Sequence, residues 1–371
     1  MPKMLEEERD IAVDSTYDAH DYDDDDDDDD RLTYTSGQTL ASSVTRYRYE
    51  NGRRYHAYLC VGAGEGSYYG PNDERYSQYE TIVHHLWLLT FNDKLFLAPI
   101  ENPETILDVG TGTGLWAIDM ADFFPSAEII GTDLSPTQVS SAPPNVRFEV
   151  DDACSEWTYP AASFSYIHVR GLTGCISSWP TLYAQALTHL KPGGWLEHSE
   201  FGIDTNANPA SDDYAHRMYS RFSASIIAVG EEKTGMTFKT VERMRGEMEA
   251  AGFVDVVERK FLWPIGTWPK ERRLKELGRW GERNWSEGIE GWVLALYTRV
   301  LGWSYTEVQS FVADFKAVIK DRKNHFYHEV RCVYGRKPFP HEIPTATTAN
   351  ASTSTTAGEG EGESAGGGGG S

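Results

Sequence analysis

The sequence predicts an α/β fold, a mostly parallel sheet with helices on both faces, on three observations. Short apolar runs alternate with helix-length amphipathic stretches through the middle of the 371-residue chain. A glycine-rich turn, Asp108-Val109-Gly110-Thr111-Gly112-Thr113-Gly114, joins the first run to its helix. The last two strand-like runs enclose a long helical stretch, so the sheet is expected to end in an antiparallel hairpin with a helical insertion before the last strand.

The alternation starts with an amphipathic helix around Tyr76 to Leu97, stopped by Pro99. Thr105 to Val109 reads as a strand, Leu115 to Phe124 as a helix and Glu128 to Asp133 as a second strand. Further strands are expected at Val146 to Val150, Phe164 to Val169 and Trp195 to Glu200. A helix over Pro180 to Leu190 is closed by Lys191-Pro192-Gly193-Gly194. Helices near Asp212 to Val229 and Thr240 to Ala251 follow, the second stopped by Gly252. Val254 to Leu262 and His325 to Tyr334 form the expected hairpin, and Pro269 to Arg283 and Ile289 to Lys320 the helices between them.

Composition bounds the rest. With 40% hydrophobic residues the chain can bury a sizeable core, but its ends cannot. Residues 1–30 hold 15 acidic and 2 basic side chains, including the run Asp23 to Asp30, so 1–45 is expected to be a disordered acidic tail. Residues 341–371 are mostly Ala, Thr, Ser, Gly and Glu and read as a low-complexity disordered tail. That leaves 46–340 as one domain, with the insertion at about 267–322.

Of the net charge of -23, about -6 remains for residues 31–340, which gives no electrostatic support to nucleic-acid binding. The four cysteines lie far apart with no Cys-x-x-Cys pair, which argues against a zinc knuckle or a disulfide framework and suits a reducing compartment. Without a signal peptide or a membrane-length apolar run, the chain is expected to be soluble and intracellular.

The glycine turn carries the chemistry. Glycines let the backbone approach a ligand closely and tolerate positive φ, but Gly-x-Gly-x-Gly also occurs in dinucleotide enzymes and plain turns. Asp108, before the glycines, can pair with an ammonium directly or through water and would repel a pyrophosphate, which favours a cationic sulfonium cofactor over NAD. Asp133 ends the second strand and can accept from both ribose hydroxyls, as it would for NAD; the alternative is an Asx turn or helix cap in Asp133-Leu134-Ser135-Pro136. Asp152 can accept from an adenine amine, with Ala153 leaving room for the ring, or can be a plain loop acid.

Several blocks in order then resemble the fungal LaeA-like methyltransferases. They are Ile106 to Gly114, Gly131 to Pro136, Pro143 to Phe148, Asp151-Asp152-Ala153, Tyr166 to Arg170 and Leu190 to Gly194. Flanking blocks resemble the same family: Pro71-Asn72-Asp73-Glu74, His84-His85, Pro264 to Pro269 and Tyr334 to Pro338. The resemblance covers roughly residues 53–338. It implies a class I Rossmann-like methyltransferase fold and S-adenosylmethionine as cofactor, with binding roles on Asp108, Gly110, Gly112, Gly114, Asp133 and Asp152; Thr111, Leu134 and Ala153, their neighbours in the same turns, are further cofactor-binding candidates. Ser165 and Cys154 stand where members often carry acids, which bears on the acceptor. Thr111 stands where the regulatory LaeA proteins usually carry cysteine, which tilts the reading towards a metabolic enzyme.

Methyl transfer from a sulfonium is an in-line displacement that gains most from orientation in a dry site. Catalytic candidates are His168 at the end of the fourth strand and His198 and Glu200 at the end of the fifth; structural histidines are the alternative. His84 and His85 point about 100° apart on a helix and do not converge as metal ligands, so no metal is expected. The tryptophans Trp263, Trp268, Trp280, Trp285, Trp292 and Trp303 are expected to build the core of the insertion, and a few to wall an apolar cavity. The expected function is methylation of a small-molecule acceptor of secondary metabolism in the cytoplasm. The alternative is a LaeA-like regulator acting through protein partners in the nucleus. An NAD-dependent oxidoreductase is a third, disfavoured reading.

Overall fold

A computed structural model describes residues 11–14, 47–56, 68–139, 141–207 and 213–343. A small antiparallel pair, β1 (Arg48–Glu50) and β2 (Arg53–Tyr55), comes first. Its turn is Asn51-Gly52, both at positive φ (50° and 76°), the hairpin turn this dipeptide favours. Helix α1 (Glu74–Thr90) follows, with Asp73 as its N-cap: Tyr76 N–H donates to Asp73 Oδ1 at 3.1 Å. Arg53 grips the same carboxylate with Nε (2.6 Å) and Nη2 (2.9 Å), which fixes where the helix starts.

The main sheet begins at β3 (Thr105–Val109), whose turn leads into α2 (Leu115–Phe123), β4 (Glu128–Asp133) and β5 (Val146–Val150). Then come β6 (Phe164–Arg170), α3 (Trp179–His189) and the long β7 (Leu190–Ala207). Helices α4 (Asp213–Val229) and α5 (Met244–Ala250) precede β8 (Val254–Pro264). Helices α6 (Arg272–Arg299) and α7 (Tyr305–Lys320) are inserted before β9 (Phe326–Arg336). The seven strands lie in the order β5-β4-β3-β6-β7-β9-β8. Strands β3 to β7 pair in parallel, and β9 runs antiparallel to both β7 and β8.

One face of the sheet packs Ile106, Ile129 and Tyr166 against Trp87, Trp116 and the insertion; the other packs Leu107, Ile167 and Leu196 against Trp179 and Tyr183 of α3. Of the tryptophans, Trp263, Trp268 and Trp285 are buried in the first core, with Trp280, Trp292 and Trp303 packed against it. Trp263 itself lies on β8 and donates to Thr90 Oγ1 at 2.6 Å, so it ties the sheet to α1.

Three expectations are corrected. The insertion does not break at residues 284–288: α6 runs through them, because Asn284 and Gly288 face inward and are buried, and the chain turns at Leu301-Gly302 instead. The fifth strand starts at Leu190 and extends to Ala207, since its antiparallel partner β9 continues the ladder beyond Glu200. Within the expected tail 1–45, residues 11–14 are docked. Ile11 is buried, Val13 bridges Pro269, Asp14 N–H donates to Trp268 O (2.8 Å), and Lys275 pairs with Asp14. Ile11 and Val13 are the apolar residues that make this possible. The poly-Asp run and residues 344–371 lie outside the described residues. No helix among the described residues is long and apolar enough to cross a membrane.

Candidate cofactor site and active site

The turn after β3 sits at the switch point of the sheet, where β4 and β6 lie on opposite sides of β3. Gly110, Gly112 and Gly114 all have positive φ (71°, 56° and 84°). Side chains also pack close over the turn: a Cβ on Gly110 would lie 2.4 Å from Leu172 Cδ2, and one on Gly112 would lie 2.7 Å from Glu80 Oε1, so these side chains would have to move. The turn is pinned by Thr111 N–H to Thr132 O (2.8 Å) and by Gln138 Nε2 to Gly112 O (2.7 Å).

Asp133 closes it from β4. Its Oδ2 accepts from Gly112 N–H (2.9 Å) and its Oδ1 from Ser135 N–H (3.0 Å). The Asx turn that was the alternative reading is therefore present, and the same carboxylate also holds the glycine loop. Burial pushes this carboxyl up to about 6, against the backbone donors that favour its charge. Leu134 lies half-buried in this turn.

Asp108 is buried beneath the loop. Thr111 Oγ1 donates to its Oδ2 (2.6 Å) and His168 Nδ1 pairs with its Oδ1 (2.7 Å), so an ammonium would have to share acceptors already in use. His168 is buried and stacked on Trp116 at 3.7 Å between ring centroids, and burial lowers its pKa to about 4, so it is neutral near pH 7. Its Nε2 has no hydrogen-bond partner among the described residues.

Asp152 is buried too, and its oxygens accept from Cys154 N–H (2.9 Å) and Ser155 Oγ (3.1 Å) of its own turn, while Ala153 O accepts from Trp157 Nε1 (3.3 Å).

The three catalytic candidates do not converge. In register, His168 pairs with Glu197 and Val169 with His198, so His168 points to the α1 and α2 side while His198 and Glu200 point to the α3 side. His198 is fully buried, bonded to Tyr183 Oη (2.8 Å) and stacked on Trp179. Glu200 is fully buried as well, accepting from Leu172 N–H and Thr173 Oγ1, so it fixes the loop after β6. Strand alternation puts His198 and Glu200 on one face of their strand, but only the register between the two strands shows that His168 faces the other way.

Two contributors, Glu80 and Asn72, were missed by sequence reasoning. Glu80 on α1 lies over Gly112 and accepts a backbone hydrogen bond from Thr113; burial, then the nearby Asp133 carboxylate, push its pKa up to about 8. Tyr76, Glu80 and His84 are spaced by four and share one helix face, but that spacing does not tell which side of the helix meets the loop. His84 uses that face to bond Arg170 Nη2 (3.0 Å) and Asp119 Oδ2 (2.9 Å), whereas His85 packs on Trp280. Asn72 of the Pro-Asn-Asp-Glu block donates to Ser135 Oγ (3.0 Å), tying the start of α1 to the Asp133 turn. Beside the loop after β6 is a cavity of about 60 Å³, lined among others by Tyr68, Tyr69, Tyr76, Thr173, Phe238 and Trp292.

The switch-point glycine loop, the acid ending the next strand and the antiparallel final hairpin define a Rossmann-like class I methyltransferase. Residues 82–258 match the family described as Methyltransferase domain. The chain is 39% identical to Methyltransferase pytC of Aspergillus terreus, over 83% of this chain and 93% of that one. It is 36% identical to Secondary metabolism regulator LAE1 of Cochliobolus heterostrophus over 78% of this chain and 94% of that one. It is 29% identical to Protein-methionine methyltransferase laeA of Emericella nidulans over 80% and 78%. A solved Haemonchus contortus phosphoethanolamine N-methyltransferase 2 in complex with S-adenosyl-L-methionine aligns at TM-score 0.41 and 19% identity, over 71% of this chain and 53% of that one. That likeness is too loose to bear on the acceptor. The chain belongs to the fungal LaeA-like family of S-adenosylmethionine-dependent methyltransferases. Its residues fit that cofactor: a glycine cradle that a Cβ would fill, bracketed by the Glu80 and Asp133 carboxylates, which form no ion pair with a basic side chain among the described residues and so suit a cation.

Proposed function

We propose that this methyltransferase modifies a small aromatic acceptor of secondary metabolism, received at the cavity beside the loop after β6. The observation that carries the reading is the lining, in which Tyr68, Tyr69, Tyr76, Phe238 and Trp292 offer ring faces and Thr173 a hydroxyl next to the carboxyl edge of the sheet. Its volume of about 60 Å³ is far below a full ligand cleft, so it would take the reacting end of an acceptor whose remainder extends outward.

In this reading Asp133 and Leu134 hold the ribose and its base, Asp152 and Ala153 border the adenine, and Gly110, Thr111, Gly112 and Gly114 form the cradle, with Asp108 supporting it from below. When bound, S-adenosylmethionine supplies an electrophilic methyl group on a sulfonium. The chain's own contribution is to orient the acceptor and exclude water, with Glu200 and His198 positioning the loop that carries Thr173. His168 holds Asp108 rather than moving a proton, because its ring is buried and neutral.

A second reading is favoured by the relatives named as secondary metabolism regulators: a cofactor-binding regulator acting on protein partners in the nucleus. Incubating purified protein with methyl-labelled cofactor and fungal extract separates the two. Label in a low-molecular-weight product supports the enzyme of small molecules in the cytoplasm; label confined to protein supports the regulator.

A further inference from the structure

Glu80 and Asp133 approach the glycine loop from opposite elements, α1 and β4. Asp133 Oδ2 takes the Gly112 N–H at 2.9 Å, and Glu80 lies against the α-carbon of the same glycine, where a Cβ would be only 2.7 Å from its Oε1. Glu80 also accepts from the backbone of Thr113. Among the described residues, the other groups that interact electrostatically with it are the phenols of Tyr68, Tyr76 and Tyr79, none of which is a cation at any pH. Two carboxylates thus share a partly dry pocket with no basic side chain paired to either among the described residues, an arrangement that is unfavourable until a positive charge enters.

We propose that Glu80 is a cofactor-contacting residue, the anion on α1 that pairs with a positive centre of S-adenosylmethionine while Asp133 holds the loop from the other side. The cradle is then completed by a helix outside the β3-loop-α2 unit. Among adenosine compounds, it selects those that carry an ammonium or sulfonium. A carboxyl that is largely protonated before binding must ionise to make this pair, so binding at pH 7 releases a proton.

The test is calorimetric titration of the full chain and of Glu80→Gln with three probes: S-adenosylmethionine, S-adenosylhomocysteine and the uncharged 5′-methylthioadenosine. Each is measured at pH 7 in two buffers of different ionisation enthalpy. Gln keeps the shape and the acceptor for Thr113, so a merely structural side chain would be replaced without effect. The expected result is a loss of about tenfold or more in S-adenosylmethionine affinity, with 5′-methylthioadenosine within about threefold of the parent. On the order of one proton is released by the parent on binding S-adenosylmethionine, and markedly less by the variant. Loss for S-adenosylhomocysteine as well assigns the ammonium as the partner; loss for S-adenosylmethionine alone assigns the sulfonium. Equal losses for all three probes, or none, overturn the proposal. Should Glu80→Gln not fold, the parent decides it: no proton released with S-adenosylmethionine beyond that seen with 5′-methylthioadenosine also overturns it.

Discussion

At the scale of single residues, the site depends on carboxylates that are already in use before any ligand arrives. Glu200 receives the Leu172 N–H and the Thr173 hydroxyl in a fully buried position. Replacing it by Ala leaves those donors without an acceptor, and chemical denaturation should show a loss of about 1–3 kcal/mol; a change under about 0.5 kcal/mol would contradict the assigned role. His168 is expected to contribute no ionisation to a pH–rate profile between pH 6 and 9, because its proton is bound only near pH 4. A limb near 6.5 that vanished in His168→Gln would show otherwise. Asp108 and Asp133 were legible from their places at strand ends. Glu80 was not, because a single acid on an amphipathic helix looks like a solvated face until the fold shows which side meets the loop.

At the scale of elements, α6 owes its position to glycines that let backbones touch. A Cβ on Gly278 would lie 2.0 Å from Gly266 O, and one on Gly281 would lie 2.2 Å from Pro264 O, so the helix rides directly on the end of β8. This explains why the block Pro264 to Pro269 and the glycines of α6 belong together. Gly281→Ala should therefore destabilise by about 1–3 kcal/mol although alanine is the better helix former. Gly246→Ala in α5, where a Cβ meets nothing within 4 Å, should instead stabilise by about 0.5–1 kcal/mol. Equal effects at the two positions, read from denaturant midpoints, would remove the packing argument.

The elements differed in how plainly the sequence displayed them. Glu128–Asp133 and Val146–Val150 are bounded by turn residues and match expectation residue for residue. The hairpin at Asn51-Gly52 rests on a turn signal alone, since each of its strands has only three residues and shows no alternation to read. The continuity of α6 through Asn284 to Gly288 could not be seen locally: low helix propensity there is overridden by burial, with Gly288 set against Tyr79 of α1.

For the whole molecule, the parallel sheet, the antiparallel hairpin and the inserted helices were readable because alternation and the ordered blocks constrain topology jointly, whereas the strand order β5-β4-β3-β6-β7-β9-β8 is seen only in the fold. What was unreadable is which faces meet, and so the separation of His168 from His198. Burial of acids across the fold also sets a pH dependence. Glu197 is fully buried and pushed up to about 7, above its value in the unfolded chain. The unfolded state then holds fewer protons than the native state between about pH 4.5 and 7, so this group's stabilisation is present at low pH and lost as pH rises through that window. Thermal melts of Glu197→Gln should show a flatter slope from pH 5 to 7 than the parent, and an unchanged slope would refute the assignment.

The central claim is that the loop from Gly110 to Gly114, held by Asp133, seats S-adenosylmethionine. It is tested most directly by calorimetric titration of S-adenosylhomocysteine into the parent and Asp133→Ala, with circular dichroism as the control for folding. One-to-one binding that weakens about a hundredfold in a folded variant, the scale of losing bonds to a charged acceptor, is the predicted result. Undiminished affinity in a folded Asp133→Ala would contradict it.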